Sequence, residues 1–303
     1  MNAVEIKNVT KTFGSTRAVD DLSLSVPEGS VYGFIGPNGS GKTTTLRMAM
    51  NIFYPDTGNI RMFGEALHDS STDHIGYLPE ERGLYKKMQV GDLLKFYGEL
   101  KNAKDLDSEI QQWLERLDLS EWKNRKIETL SKGMSQKVQF IAAVVARPRL
   151  LILDEPFSGL DPVNADVLRN AILDIRKTGT TVIFSTHDMN VAERMCDFIF
   201  MIFKGRKVLD GTLSDIQKRY GSDTLRVRCE NTKGALRALP GVERVSDFGQ
   251  VQELRLQTGQ DPQEVVQSLV ATTRVQSFEI TTPSLHDIFV RIAGPEAQEV
   301  QNA

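Results

Sequence analysis

A chain of 303 residues is long for one average domain and short for three, so two domains are expected. Its 37 Lys plus Arg against 40 Asp plus Glu leave a net charge of -3, which supplies no general pull toward nucleic acid, and none is expected as a partner. A 40% hydrophobic composition is enough for a packed core, yet no apolar run approaches the roughly 20 residues of a bilayer span. Residues 1–13 are too polar for the apolar centre of a signal peptide. If the chain works at a membrane, another protein must supply the pore. Cys196 and Cys229 are isolated, which suits a reducing compartment and argues against a disulfide framework or a thiolate metal site.

In chain order, Val4–Val9, Leu22–Val26 and Asn59–Phe63 are short apolar segments separated by turn residues, and they predict antiparallel strands beside a main sheet. Strand-length runs at Val31–Ile35, Leu150–Leu153, Val182–Phe184 and Phe198–Phe203 alternate with helix-length patterns at Lys42–Met50, Ser131–Ala146, Pro162–Lys177 and Met189–Met195. That alternation predicts an α/β fold with a largely parallel sheet. Between Glu80 and Ser131 the pattern is helical, with amphipathic stretches at Gly91–Leu100 and Ser108–Leu117, as for an inserted helical subdomain.

After a helix over Leu213–Tyr220, the residues GSD mark a break and a β-α-β-β-α-β order follows. It comprises strand Thr224–Cys229, helix Thr232–Leu239, strand Val242–Asp247, a turn at Phe248–Gly249, strand Val251–Gln257, helix Pro262–Thr272 and strand Val275–Thr281, with a closing helix over Ser284–Ile292. This is the ferredoxin-like order. The expected domains are therefore 1–220 and 221–293, with a disordered polar tail over 294–303.

Gly36-Pro37-Asn38-Gly39-Ser40-Gly41-Lys42-Thr43 fits the pattern GxxxxGK followed by Ser or Thr, directly after an apolar strand and before a helix. Glycines let backbone N–H groups wrap the β- and γ-phosphates of a nucleoside triphosphate, and the helix N-terminus adds its positive end. Lys42 then neutralises phosphate charge, the Thr43 hydroxyl is a magnesium ligand, and Thr44 belongs to the same loop. Leu150-Leu151-Ile152-Leu153-Asp154-Glu155 is an apolar strand ending in two carboxylates, where an open α/β sheet keeps its ligand crevice. Asp154 is placed to hold magnesium through water, and Glu155 to polarise the attacking water.

With these elements the chain resembles the ATP-binding cassette (ABC) ATPases over residues 1 to about 220. The resemblance implies ATP as the nucleotide, with Mg2+, and gives roles to further residues. Phe13 stands where the family stacks an aromatic ring on adenine. Leu130-Ser131-Lys132-Gly133-Met134 is similar to the signature LSGGQ at Leu130, Ser131 and Gly133. Ser158-Gly159-Leu160-Asp161 resembles the loop that bridges subunits, and His187 in Thr186-His187-Asp188 resembles the switch histidine that contacts the γ-phosphate. In the family the signature of one subunit meets the P-loop of another. A chain carrying one of each therefore implies a second ATPase subunit, most simply a homodimer. The family also implies an integral membrane permease as partner, with the ATPase on the cytoplasmic face.

Lys132 and Met134 depart from the signature, and Glu80 replaces the family's usual Gln within Tyr77-Leu78-Pro79-Glu80-Glu81-Arg82-Gly83-Leu84-Tyr85. A carboxylate at position 80 still offers magnesium an oxygen ligand, although it adds negative charge near the phosphates. These departures, with Pro283-Ser284-Leu285-His286-Asp287-Ile288-Phe289 near the C-terminus, resemble the branch that serves ABC-2-type exporters, including sodium-efflux-like systems. An importer ATPase is the alternative, and a non-transport ABC ATPase a more remote one. Leu84, Tyr85, Met88, Leu93, Leu94, Phe96 and Tyr97 are candidate anchors for the permease, of which most are expected to be core and Tyr85 and Met88 to make contact.

Overall fold

The computed structural model describes residues 1–81, 83–220, 224–229, 235–247, 249, 251–257 and 259–294. Arg82, the GSD break, the first part of the expected helix Thr232–Leu239, Phe248 of the turn and the tail after residue 294 lie outside the described residues. Two compact units are present, Met1–Thr212 and Leu213–Ala303.

The first unit runs β1 (Asn2–Phe13), β2 (Thr16–Pro27), β3 (Val31–Ile35), α1 (Lys42–Ala49), β4 (Thr57–Met62), β5 (Glu65–Ala66), β6 (Ile75–Leu78), α2 (Val90–Leu100), α3 (Leu106–Arg116) and α4 (Lys132–Val144). It continues with β7 (Leu150–Asp154), α5 (Pro162–Lys177), β8 (Thr181–Thr186), α6 (Met189–Met195), β9 (Phe198–Phe203) and β10 (Arg206–Gly211). The central sheet has the order β10-β9-β3-β8-β7-β6 and is parallel apart from the edge strand β10. Every residue of β3, β7 and β8 is buried, the expected state of strands covered on both faces.

Along β7 the side chains alternate between two cores. Leu150 and Ile152 join a core with Val4, Ile6, Leu24 and Phe34, next to the antiparallel sheet β2-β1-β4-β5. Leu151 and Leu153 join the other core with Leu93, Leu94, Phe140 and Leu168 of α2, α4 and α5.

The hairpin β1–β2 is longer than the short segments expected, because Asn8 (φ 50°) and Asp21 (φ 49°) sit in the left-handed region at irregular points of the strands without ending them. Asn8 Nδ2 donates to Asp21 Oδ1 at 2.9 Å and its backbone N–H to Ser23 Oγ at 2.8 Å, which satisfies the interrupted ladder. In the helical segment Leu93 and Leu94 are core, Leu84, Met88 and Tyr97 are half-buried, and Phe96 lies at the surface. Tyr85 is 55% exposed, with its ring edge-on to Phe96 at 5.9 Å.

The second unit contains α7 (Leu213–Tyr220), β11 (Thr224–Cys229), β12 (Val242–Asp247), β13 (Gln252–Leu256), α8 (Pro262–Thr272), β14 (Val275–Thr281) and α9 (Leu285–Ala293). Its sheet is antiparallel with order β12-β13-β11-β14, the strand order of a ferredoxin-like module. Of the expected helix Thr232–Leu239, the described part is a single 310 turn, Ala235–Ala238, whose Leu236 is buried against Leu225, Val227 and Leu269. The division between units falls at 212/213 and not at 220. Helix α7 is tied to the C-terminal module: Gln217 Nε2 donates to the Pro283 carbonyl at 3.2 Å and Arg291 Nη1 to the Tyr220 carbonyl at 3.4 Å.

Candidate active site

Four strands of the central sheet end at one edge. Ile35 pairs with Thr186, Asp154 with Ser185 and Leu78 with Leu153, so the loops after β3, β7, β8 and β6 emerge side by side. These loops bring together residues 36–44, Asp154 and Glu155, His187, and Glu80.

The loop after β3 folds tightly because two of its glycines have no room for a side chain. A Cβ on Gly36 would lie 2.3 Å from the Ile202 carbonyl oxygen, and one on Gly41 (φ 106°) would lie 2.4 Å from that of Ala18. Lys42 is buried, and its Nζ donates to the carbonyls of Gly36 at 2.7 Å and Pro37 at 3.2 Å. Burial pulls its pKa below the ordinary lysine value, opposed by the charges of Glu155, Asp154 and Glu80. Residues 38–44 with Ala18, Glu80 and Glu155 line a cleft of about 340 Å3. Ser40 is among the lining residues, and its buried Oγ has no hydrogen-bond partner among the described residues.

Ser185, in the middle of the edge, was not marked by any sequence motif. Its hydroxyl donates to Asp154 Oδ1 and accepts the Glu155 N–H at 3.1 Å, so one side chain fixes both carboxylate residues. The available signal is a serine directly after the apolar run Val182–Phe184, at the strand position paired with Asp154. Asp154 Oδ2 is buried and, among the described residues, has no hydrogen-bond partner. Glu155 is buried with φ at 50°, an unfavourable backbone for a residue with a side chain. Its Oε1 lies 3.0 Å from His187 Nδ1 and 3.8 Å from Lys42 Nζ.

Other expected site residues stand apart from this cleft. Phe13 ends β1, is 44% exposed, and meets Phe53 edge-on with ring centres 5.4 Å apart. Ser131 caps α4 by accepting the Met134 N–H at 3.2 Å. Asp161 caps α5 by accepting the Asn164 N–H at 3.0 Å, a bond that lowers its pKa. Gly133 lies beside this cap, with the position of an added Cβ 3.4 Å from Asn164 Nδ2. Gly133 and the cap of α5 thus form a second cluster, and Ser131, Gly133 and Asp161 are absent from the lining of the P-loop cleft.

A larger cavity of about 600 Å3 lies between α3 and α5, but its arginines are already engaged: Arg116 with Asp174, Arg147 with Glu109, and Arg149 over the Phe63 ring. The smaller cleft is the one lined by the loop over residues 38–44.

A parallel sheet with a glycine-walled loop, a buried lysine and paired carboxylates at the strand ends defines a P-loop nucleotide-binding ATPase. The ABC transporter family model matches residues 19–158, and that of the DrrA1-3-like ATP-binding protein C-terminal domain matches residues 211–293. The chain is 39% identical over 291 residues to an uncharacterised ABC transporter ATP-binding protein, YhaQ, of Bacillus subtilis, covering 95% of this chain and 98% of the relative. It is 31% identical over 316 residues to the daunorubicin/doxorubicin resistance ATP-binding protein DrrA of Streptomyces peucetius, covering 98% and 94%. A solved ATP-binding subunit of an ABC transporter superposes with a TM-score of 0.68 at 28% identity, over 72% of this chain and 93% of that one. The chain belongs to the ATP-binding subunits of ABC transporters, which hydrolyse ATP to power transport.

Proposed function

We propose that this chain, together with a second copy, hydrolyses ATP with Mg2+ on the cytoplasmic face of a membrane and drives export through a separate ABC-2-type permease. The observation that carries the chemistry is the meeting of Lys42 Nζ and His187 Nδ1 at Glu155 Oε1, on the wall of the P-loop cleft, next in sequence to Asp154, whose buried Oδ2 has no hydrogen-bond partner among the described residues. The export reading draws on relatives named for linearmycin resistance, daunorubicin/doxorubicin resistance and Nod factor export.

Residues 36–44 cradle the phosphates with backbone N–H groups, and Lys42 turns from its own loop carbonyls to the phosphate oxygens. The donor set suits magnesium: one buried carboxylate oxygen in need of a partner, the Thr43 hydroxyl, and Glu80 on the cleft wall. No group of three or more His, Cys, Asp or Glu side chains arranged to hold a metal ion by themselves occurs among the described residues. When bound, the ion neutralises charge on the transferring phosphoryl group. Glu155 Oε1 accepts a proton from the attacking water, and His187 orients that carboxylate and reaches the γ-phosphate. Phe13, exposed beside Phe53, offers an edge-supported ring to adenine.

Ser131, Gly133 and Asp161 serve the cleft of the other copy. Two chains make two composite sites, and ATP acts as an adhesive between them. Glu155→Gln is expected to lower the ATP hydrolysis rate at least about 100-fold while trapping an ATP-bound dimer, measured by phosphate release and size-exclusion chromatography. A variant hydrolysing at the unmodified rate would overturn the assignment.

A further inference from the structure

Two glutamines on α4 reach the two loops that carry Glu155 and Glu80. Gln136 is 3% exposed and its Nε2 donates to the Pro156 carbonyl at 3.1 Å. Gln139, three residues on and therefore on the same helix face, donates through Nε2 to the Glu81 carbonyl at 3.4 Å. Each acceptor is one residue beyond a carboxylate that lines the cleft.

Glu155 has the left-handed φ of 50° and precedes a proline, a combination that its own local preferences do not favour. Within the turn the Ser158 N–H donates to the Glu155 carbonyl at 3.1 Å, and contacts from outside it hold the peptide units on either side of Glu155. On the N-terminal side the Glu155 N–H is bound by the Ser185 carbonyl at 3.2 Å and the Ser185 hydroxyl at 3.1 Å. On the C-terminal side the Pro156 carbonyl is bound by Gln136. The turn is thus clamped at both ends, one clamp from β8 and one from α4. Releasing either lets the backbone relax toward a commoner conformation, and Oε1 moves away from His187 and Lys42.

We propose that Gln136 is a positioning residue for ATP hydrolysis: its amide holds the Glu155-Pro156 turn so that the carboxylate stays aimed at the attacking water. Ser131 caps the same helix, so on the composite-site reading above the segment that would face the second chain's nucleotide is joined through Gln136 to this chain's own Glu155. The inference rests on Glu155 acting as the base.

The test compares Gln136→Met, of equal length but without the amide donors, with the unmodified full chain. Its kcat is expected to fall about tenfold, while KM for ATP and the dissociation constant of a non-hydrolysable ATP analogue stay within about twofold. An unchanged kcat, or a loss of kcat matched by equal loss of analogue binding, would overturn the proposal. If Gln136→Met does not fold, judged by its circular dichroism and thermal midpoint, Gln136→Asn replaces it; this side chain is one methylene too short to reach Pro156, and the same split is expected.

A double-mutant cycle supplies the second readout. In single-turnover measurements on a Glu155→Gln background, adding Gln136→Met should leave the residual rate unchanged if the effect of the amide on turnover passes through Glu155. A further tenfold drop would show a general disturbance instead. Glu155→Gln measured alone separates the two ideas: if it retains the full rate, the assignment of the base fails, whereas if only Gln136→Met is silent, positioning fails.

Discussion

The Ser185 hydroxyl does two jobs in a fully buried position, accepting the Glu155 N–H and donating to Asp154 Oδ1. Ser185→Ala removes both bonds and leaves a buried carboxylate oxygen without a donor, a change that costs about 1–3 kcal/mol. The expected outcome is a lower unfolding midpoint in urea and a kcat reduced about tenfold, with a smaller effect on KM. Gly36 provides a contrast. Gly36→Ala places a methyl 2.3 Å from the Ile202 carbonyl and 2.7 Å from Ser40 Oγ, so the phosphate loop itself must shift. Equilibrium binding of a fluorescent ATP analogue should weaken by about tenfold or more, because the N–H groups of the loop no longer converge. One residue therefore tunes turnover and the other tunes binding.

At the scale of elements, strands buried on both faces and helices with clear caps were legible in the sequence. Helices α5, α6 and α8 begin and end at the predicted residues, each starting on an aspartate whose side chain accepts backbone N–H groups. Strand β6 was not legible: four residues, one of them Gly76, are too few to display a period. Strand β10 was missed because an edge strand, Arg206–Gly211, is mostly polar. The same logic divides the site. Gly36, Lys42, Asp154, Glu155 and His187 stand in fixed patterns next to strand ends, whereas Ser185, Gln136 and Gln139 matter through contacts made only after the chain has folded back. The capping box of α9 gives an independent check on the C-terminal module: Ser284 Oγ accepts the Asp287 N–H at 3.1 Å while Asp287 accepts the Ser284 N–H at 3.1 Å. Ser284→Ala should destabilise that helix by about 1 kcal/mol, read as a lower thermal midpoint without loss of ATP hydrolysis.

For the whole molecule, the separation of Ser131, Gly133 and Asp161 from the P-loop cleft leads to a test by mixing. A Lys42→Ala chain and a Ser131→Arg chain are each expected to be inactive. Combined in equal amounts, half of randomly formed dimers are mixed and each mixed dimer regains one intact composite site, so about a quarter of the sites recover. Phosphate release that stays at the level of the separate variants would count against composite sites.

Strand β7 alternates its side chains between the two cores and hands Asp154 to the edge as its last residue. The strand therefore has a reading frame. Deleting a single residue from it would turn Leu150 and Ile152 toward the helices and Leu151 and Leu153 toward the antiparallel sheet, while drawing the carboxylates back by about 3.3 Å, one strand rise. Drift in length, harmless in most loops, would here exchange both interiors and pull both carboxylates away from the P-loop in one event.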